Sequence, residues 1–280
     1  MTKSGRARGR PRSFHDSGLA TRIRALDRAV EVLRVVATGS GMSLTEIAAE
    51  AGEAAPTVYR ILITLEAHRV VEFDESEQLW HVGIEAYRIG TGYLRRTKIV
   101  EQSRPVMQRI MLATGETANI AIVDGREVVF LSQVETHELI RAFFRPGTRG
   151  PVHASGIGKA VLAFQRPERI EAILNAYPFA AFTEKTITGR EAMEGELAGI
   201  RARGFSVDDE EHTRGMRCVA APIFNEYGEA VAGISVSGPS VRVTHDRDVE
   251  FGRMLRAAAD EVTGAIGGRL PDAVAEESLI

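Results

Sequence analysis

At 280 residues the chain is long enough for two domains, each with its own core, and its 44% apolar and 26% charged residues are ordinary for a soluble globular protein. One cysteine excludes a disulfide framework within the chain and fits a reducing cytosol. No uncharged apolar run approaches the ~20 residues of a membrane helix, and the basic N-terminus lacks the apolar stretch of a secretory signal, so a cytoplasmic protein with no membrane partner is expected.

The net charge of −3 hides an asymmetry. From Met1 to Arg28 there are eight basic residues and two acids, a local +6 that leaves about −9 on the remainder. A basic end on an acidic body points to a polyanionic partner. Residues 1–18 read as a disordered basic arm, with only Phe14 to bury. Within it Arg8-Gly9-Arg10-Pro11-Arg12 resembles an AT-hook core, which can lie in a narrow minor groove. A solvated tail with non-specific phosphate attraction is the simpler reading.

A winged helix-turn-helix is expected over residues 19–83. Ile23, Leu26, Ala29, Val30, Leu33, Val36 and Ala37 trace an amphipathic helix from about Thr21 to Thr38. Ser43 then caps a short helix, with Glu46 completing a capping box. Gly52 ends that helix and Pro56 opens the next. Val58, Ile61, Leu62 and Leu65 form its buried stripe, leaving Thr57, Tyr59, Arg60 and Thr64 outside. Such a second helix is built to enter a major groove. Two short β runs around an acidic Asp74-to-Gln78 turn form the wing. Residues 84–99 read as a linker helix interrupted by Gly90 and Gly92.

Residues 100–268 read as a second, α+β domain, followed by an acidic tail, 269–280. A helix to about 114 precedes strands at 119–123, 127–134 and 139–144. Helices near 156–165, 167–176 and 189–203 follow, then strands at 205–208, 217–224 and 230–237 and a closing helix. Three segments exceed scaffold. Ser155-Gly156-Ile157-Gly158 leads into a helix and offers bare N–H groups to an anion. It is not a P-loop, since His153 stands where a glycine is needed and Ala160 where Ser or Thr would hold magnesium. Close helix packing would also explain its glycines. Asp208 to His212 with Cys218 could be a metal site or a nucleophile with its base, although a solvated acidic loop and a buried thiol are simpler. Ser235 and Ser237 are two apart on a strand, so both hydroxyls point to one face, either pocket or solvent.

Taken in order, these stretches resemble the IclR family of transcriptional regulators. The carriers are Arg24-Ala25-Leu26-Asp27-Arg28, the helix-turn-helix, Arg88-Ile89-Gly90, His153 to Ala160, Gly204 to Asp208, Gly215 to Pro222 and Ile234 to Pro239. The resemblance implies a winged helix-turn-helix, a linker helix and a GAF-like effector domain, with dimers through the former and tetramers through the latter. Within the family the chain is most similar to the glyoxylate-sensing branch. By motif, Gly156 and Ile157 would give N–H groups to a ligand carboxylate. Asp208, Cys218, Ser235 and Ser237 would surround the carbonyl or its hydrate, and Ala142, Gly150 and Met216 would form the apolar wall. Ala142 and Gly150 are small, so extra room is expected. The implied partners are a roughly palindromic operator DNA, contacted by Arg24, Ser43, Thr57, Tyr59, Arg60 and Thr64, and a small 2-oxo acid such as glyoxylate or pyruvate. Neither cofactor, metal nor catalysis is expected. A different small organic or aromatic acid is the alternative effector, and a Cys-dependent enzyme fused to a DNA-binding domain the remoter one.

Overall fold

The computed structural model describes residues 23–175 and 178–271. The basic arm, including Arg8–Arg12, and the tail past residue 271 lie outside the described residues. The chain divides into two compact units between Arg95 and Arg96, a boundary inside the segment read as the linker.

The first unit contains α1 (Arg24–Thr38), α2 (Leu44–Ala51), α3 (Ala55–Ala67), β1 (Val71–Asp74), β2 (Leu79–Val82) and most of α4 (Ile84–Thr97). The capping box forms as the sequence specifies. Ser43 Oγ accepts from the Glu46 N–H at 3.3 Å, and the Glu46 carboxylate accepts from the Ser43 N–H at 2.8 Å. Gly52 ends α2 at φ 64°. Ile47 and Ala48 of α2, Val58 and Leu62 of α3, and Val71 and Trp80 of the hairpin close around Val32, Val35 and Val36 of α1. Each fully buried Val, Leu or Ile among them contributes roughly 1.5–3 kcal/mol. Trp80 also pairs through its backbone with Met42, which ties the wing to the turn before α2.

Two expectations need correction here. Ile23, Leu26 and Val30 do not pack inward but are 63%, 60% and 49% exposed. The apolar residues of α1 occupy more than one face, and the two helices behind it cover only the later turns. Gly90 and Gly92 do not interrupt α4, which runs through both to Thr97. A helical glycine costs only about 1 kcal/mol. The break comes instead at Lys98, with φ 50°.

The second unit contains α5 (Ile99–Thr114), β3 (Thr117–Asp124), β4 (Glu127–Val134), β5 (Arg149–Pro151) and α6 (Gly156–Ala163). It continues with α7 (Pro167–Leu174), α8 (Arg190–Arg203), β6 (Ser206–Asp209), β7 (Met216–Phe224), β8 (Ala230–Pro239) and α9 (Asp248–Ala265). The sheet order is β5-β4-β3-β8-β7-β6, with every neighbouring pair antiparallel. Ile120, Val219, Ile234 and Val236 face α5 and α9, where Met107 and Leu255 meet them. Ala121, Cys218 and Ala220 face the other way, toward Ile157 and Ala160 of α6. With both faces covered, the central strands are apolar or small almost throughout. Polar residues buried within these strands include Thr117, Asn119, Arg217, Ser235 and Ser237.

Residues 139–144 are not the strand the sequence predicts. Their backbone is held by side chains instead: Thr117 Oγ1 donates to the Ala142 carbonyl at 3.0 Å, and the Phe144 N–H donates to Gln133 Oε1 at 2.9 Å. Leu139 and Ile140 are 95% and 73% exposed, so no core rewards an alternating strand here. The short β5 takes the edge beside β4.

Candidate ligand cavity and nucleic-acid interface

The first turn of α6 packs closely against the sheet. Ser155 caps it, accepting from the Gly158 N–H at 3.3 Å, and Ser206 Oγ donates to the Gly156 carbonyl at 2.5 Å. The N–H groups of Gly156 and Ile157 open α6, where the α-helical ladder leaves the first N–H groups without an acceptor in the helix. Both flanking glycines are required by contact. A Cβ on Gly156 would lie 2.8 Å from Cys218 Sγ, and one on Gly158 would lie 2.3 Å from the Val152 carbonyl oxygen. Packing thus accounts for Gly158, while Gly156 lets the helix start approach the sheet.

A cavity of about 90 Å³ opens in front of this turn. Gly150, Gly156, Ile157, Asp208, Met216, Cys218, Ser235 and Ser237 all line it. Strand pairing assembles the polar row: Asp208 lies opposite Cys218, Cys218 opposite Ser237, and Ser235 opposite Asn119. The two serines therefore face a pocket and not solvent. Ala142 is the exception. It is buried but does not line the cavity, whereas Phe144 does, stacked on Phe130 with ring centroids 4.3 Å apart. Gly150 does leave space, since a Cβ there would meet nothing within 4 Å.

Electrostatics in the cavity wall are dominated by burial. Lys159 is fully buried, with Nζ 2.7 Å from the Val207 carbonyl, in direct contact with the Glu211 carboxylate and 3.6 Å from Glu196. Its charge is thereby matched within the wall. Asp208 accepts from the Glu211 N–H at 2.8 Å. Loss of water, and then the neighbouring Glu211 carboxylate, push the Asp208 carboxyl up to about 7. Burial, and then Asp208, push the Cys218 thiol up to about 11. A thiol that keeps its proton at neutral pH is a hydrogen-bonding wall group and a poor nucleophile. Burial also holds the His212 imidazole below its usual range. Its Nδ1 lies 3.2 Å from Thr213 Oγ1, and its ring packs on Phe182 at 4.8 Å.

Several of these groups escape sequence reasoning. The Lys159–Glu211 pair joins residues 52 positions apart, and no local pattern announces it. Phe130 and Phe144 meet only because residues 139–144 fold back over β4. Asn119 did carry a signal, as the one amide inside an apolar run.

In the first unit, α3 presents Tyr59, 50% exposed, together with exposed Arg60 and Thr64 and half-buried Thr57. Thr64 Oγ1 donates to the Arg60 carbonyl at 2.7 Å. Arg24 is exposed at the start of α1. A groove of about 420 Å³ runs between α1 and α3, with Leu26, Thr57, Arg60 and Thr64 among its walls. Ser43, named above among the residues at the DNA, caps α2. Its hydroxyl is engaged in the cap, donating to Glu46 Oε2 at 2.8 Å, and that carboxylate repels a phosphate. At the wing, Asp74, Glu77 and His81 bring ligand atoms within 4.8 Å of one another. Asp74 Oδ1 already accepts from the Ser76 N–H and Oγ and the Glu77 N–H, so the group folds the turn.

Comparison with known proteins gives two family matches. Residues 25–75 match the IclR helix-turn-helix domain, and residues 91–264 match the bacterial transcriptional regulator IclR C-terminal domain. The chain is 49% identical over 271 residues to the HTH-type transcriptional regulator BhcR of Paracoccus denitrificans (strain Pd 1222), covering 96% of each chain. It is 36% identical over 264 residues to the transcriptional repressor IclR of Escherichia coli (strain K12), covering 93% of this chain and 96% of that one. Among solved structures, the Thermotoga maritima IclR superposes with a TM-score of 0.72 at 30% identity, over 88% of this chain and all of that one. Among the described residues, no helix is long and apolar enough to cross a membrane.

Proposed function

Because the chain belongs to the IclR family of transcriptional regulators, we propose that its operator binding is controlled by a small 2-oxo acid, with glyoxylate and pyruvate the effectors that fit. One observation carries this reading. Eight residues nominated for such a ligand from scattered sequence segments line a single cavity of about 90 Å³. At roughly 10–15 Å³ of such space per water, that cavity holds a ligand of a few heavy atoms, and a larger aromatic acid would have to displace the Phe130–Phe144 stack.

The ligand carboxylate sits at the N–H groups of Gly156 and Ile157, where the helix start favours an anion. The carbonyl oxygen faces the hydroxyls of Ser235 and Ser237, with Cys218 and Asp208 closing the polar side and Met216 the apolar one. The protein binds its ligand without turning it over, in keeping with a Cys218 thiol pushed up to about 11. Arg60, Thr57 and Tyr59 of α3 read base edges in the major groove, and Arg24 adds a phosphate contact. Two copies paired through the open face of α1 present two such helices to a roughly palindromic site, and pairs assemble further into tetramers. The ligand shifts DNA binding only by its differential affinity for the two arrangements of the protein.

A gel shift on the chain's own upstream region, titrated with glyoxylate and pyruvate, tests the reading. A change in shifted DNA with at least one of them is expected, with no steady consumption of the acid. Ser235→Ala should abolish the response and leave DNA binding intact. Indifference to every small 2-oxo acid sinks the ligand assignment, and loss of DNA binding by a folded Ser235→Ala chain sinks the site.

A further inference from the structure

Asn119 lies behind the cavity on β3, fully buried. It pairs across the sheet with Ser235, and Thr117 two residues before it pairs with Ser237. Its amide Nδ2 reaches both serine oxygens, Ser237 Oγ at 3.2 Å and Ser235 Oγ at 3.4 Å. Its Oδ1 is buried and has no hydrogen-bond partner among the described residues. An apolar strand thus retains a buried amide whose oxygen goes unsatisfied, which is costly unless the nitrogen does something that offsets it.

An amide nitrogen only donates. Each serine oxygen that accepts from Asn119 has one proton left to give and no need to give it to Asn119. Both serines line the cavity, and Asn119 lies outside its lining. We infer that Asn119 sets the hydrogen-bond polarity of the cavity: by donating to Ser235 and Ser237 from behind, it turns both hydroxyl protons toward the ligand and makes the site select an oxo acid over the corresponding hydroxy acid. This inference rests on the 2-oxo acid reading above and names what enforces it. Asn119 is a positioning residue, acting through the serines.

The rule has a chemical consequence. A carbonyl oxygen is acceptor only and matches two converging donors. A 2-hydroxyl oxygen can also accept from both serines, but its own proton then needs an acceptor that neither serine, with its hydroxyl turned to donate, offers. Placing an acceptor at position 119 reverses the arrangement, because the serines then donate backward and turn lone pairs to the ligand.

The test is calorimetric titration of the full chain with pyruvate and with lactate, for the unsubstituted protein and for Asn119→Asp. The added charge of the aspartate weakens both anions alike, so the ratio of the two affinities isolates polarity. That ratio should favour pyruvate in the unsubstituted chain and fall by about tenfold in Asn119→Asp. In a Ser235→Ala/Ser237→Ala background the same substitution should leave the ratio unchanged. Asn119→Leu, which keeps the volume and removes the donor, should lower the ratio in the same direction and serves if the aspartate variant does not fold. An equal loss of both affinities would make Asn119 a packing residue and overturn the inference alone. Failure of the unsubstituted chain to bind pyruvate would overturn the 2-oxo acid reading and the inference with it.

Discussion

At the cavity wall the Asp208 carboxyl is out of water and beside Glu211, so it holds its proton up to about pH 7 in the folded chain, against a usual value of 3.8. Its pKa is raised by folding, so the folded state binds more protons than the unfolded one between those two values, and stability falls as pH rises through that window. The penalty is absent below about pH 4 and complete above about pH 7. Removing the charge while keeping the shape should therefore stabilise the protein only at the higher end. Asp208→Asn is expected to raise stability by on the order of 2–4 kcal/mol at about pH 8 and by almost nothing at about pH 4. Denaturant unfolding at the two pH values checks this, and an equal effect at both would mean that Asp208 does not titrate as its surroundings dictate. An acid kept at such a cost suits a group that meets the ligand, since its proton can be donated to a bound anion.

The element on which the site depends is α6, and its placement is a matter of close contact. A Cβ at Gly158 would lie 2.3 Å from the carbonyl oxygen and 2.7 Å from the Cα of Val152, both backbone atoms that cannot swing aside. Gly158→Ala should cost about 1–3 kcal/mol through overpacking and shift the helix start away from the sheet. A thermal melt would show the lower midpoint, with ligand response weakened alongside, whereas an unchanged midpoint would show that the turn before α6 yields freely. How legible the elements were follows the same physics. The capping box of Ser43 and Glu46 and the glycine end of α2 are local rules, and they hold as read. Residues 139–144 alternate like a strand, yet their backbone is held by Thr117 and Gln133 side chains that no local pattern reveals. Glycines inside α4 looked like breaks, but two of them do not outweigh the turns on either side.

Across the whole molecule, the surface that the sequence hid is the open side of α1. Ile23, Leu26 and Val30 lie three and four residues apart and stay exposed, a face that suits a second copy of the chain under the proposed dimer. Leu26→Glu should leave the fold of the chain intact, because the side chain is 60% exposed, while lowering the order of assembly by the contact made through α1 and weakening operator binding. Sedimentation over a range of protein concentration measures this, and an unchanged distribution of species would place the pairing surface elsewhere.

The sequence by itself determined what depends on neighbours along the chain: the helix-turn-helix with its cap and wing, the α+β second domain, and the residue types suited to holding a small anion. Hydrogen-bond caps, turn glycines and side-chain periodicity act over a few residues, so they are written locally. Only the tertiary structure decided that Ser235 and Ser237 face a cavity, that Phe144 and not Ala142 lines it, that Lys159 is paired with Glu211, and that Asn119 stands behind the serines. Each of those is set by antiparallel register and by contacts between residues far apart in sequence, and a single chain of letters carries no record of which distant partner will arrive.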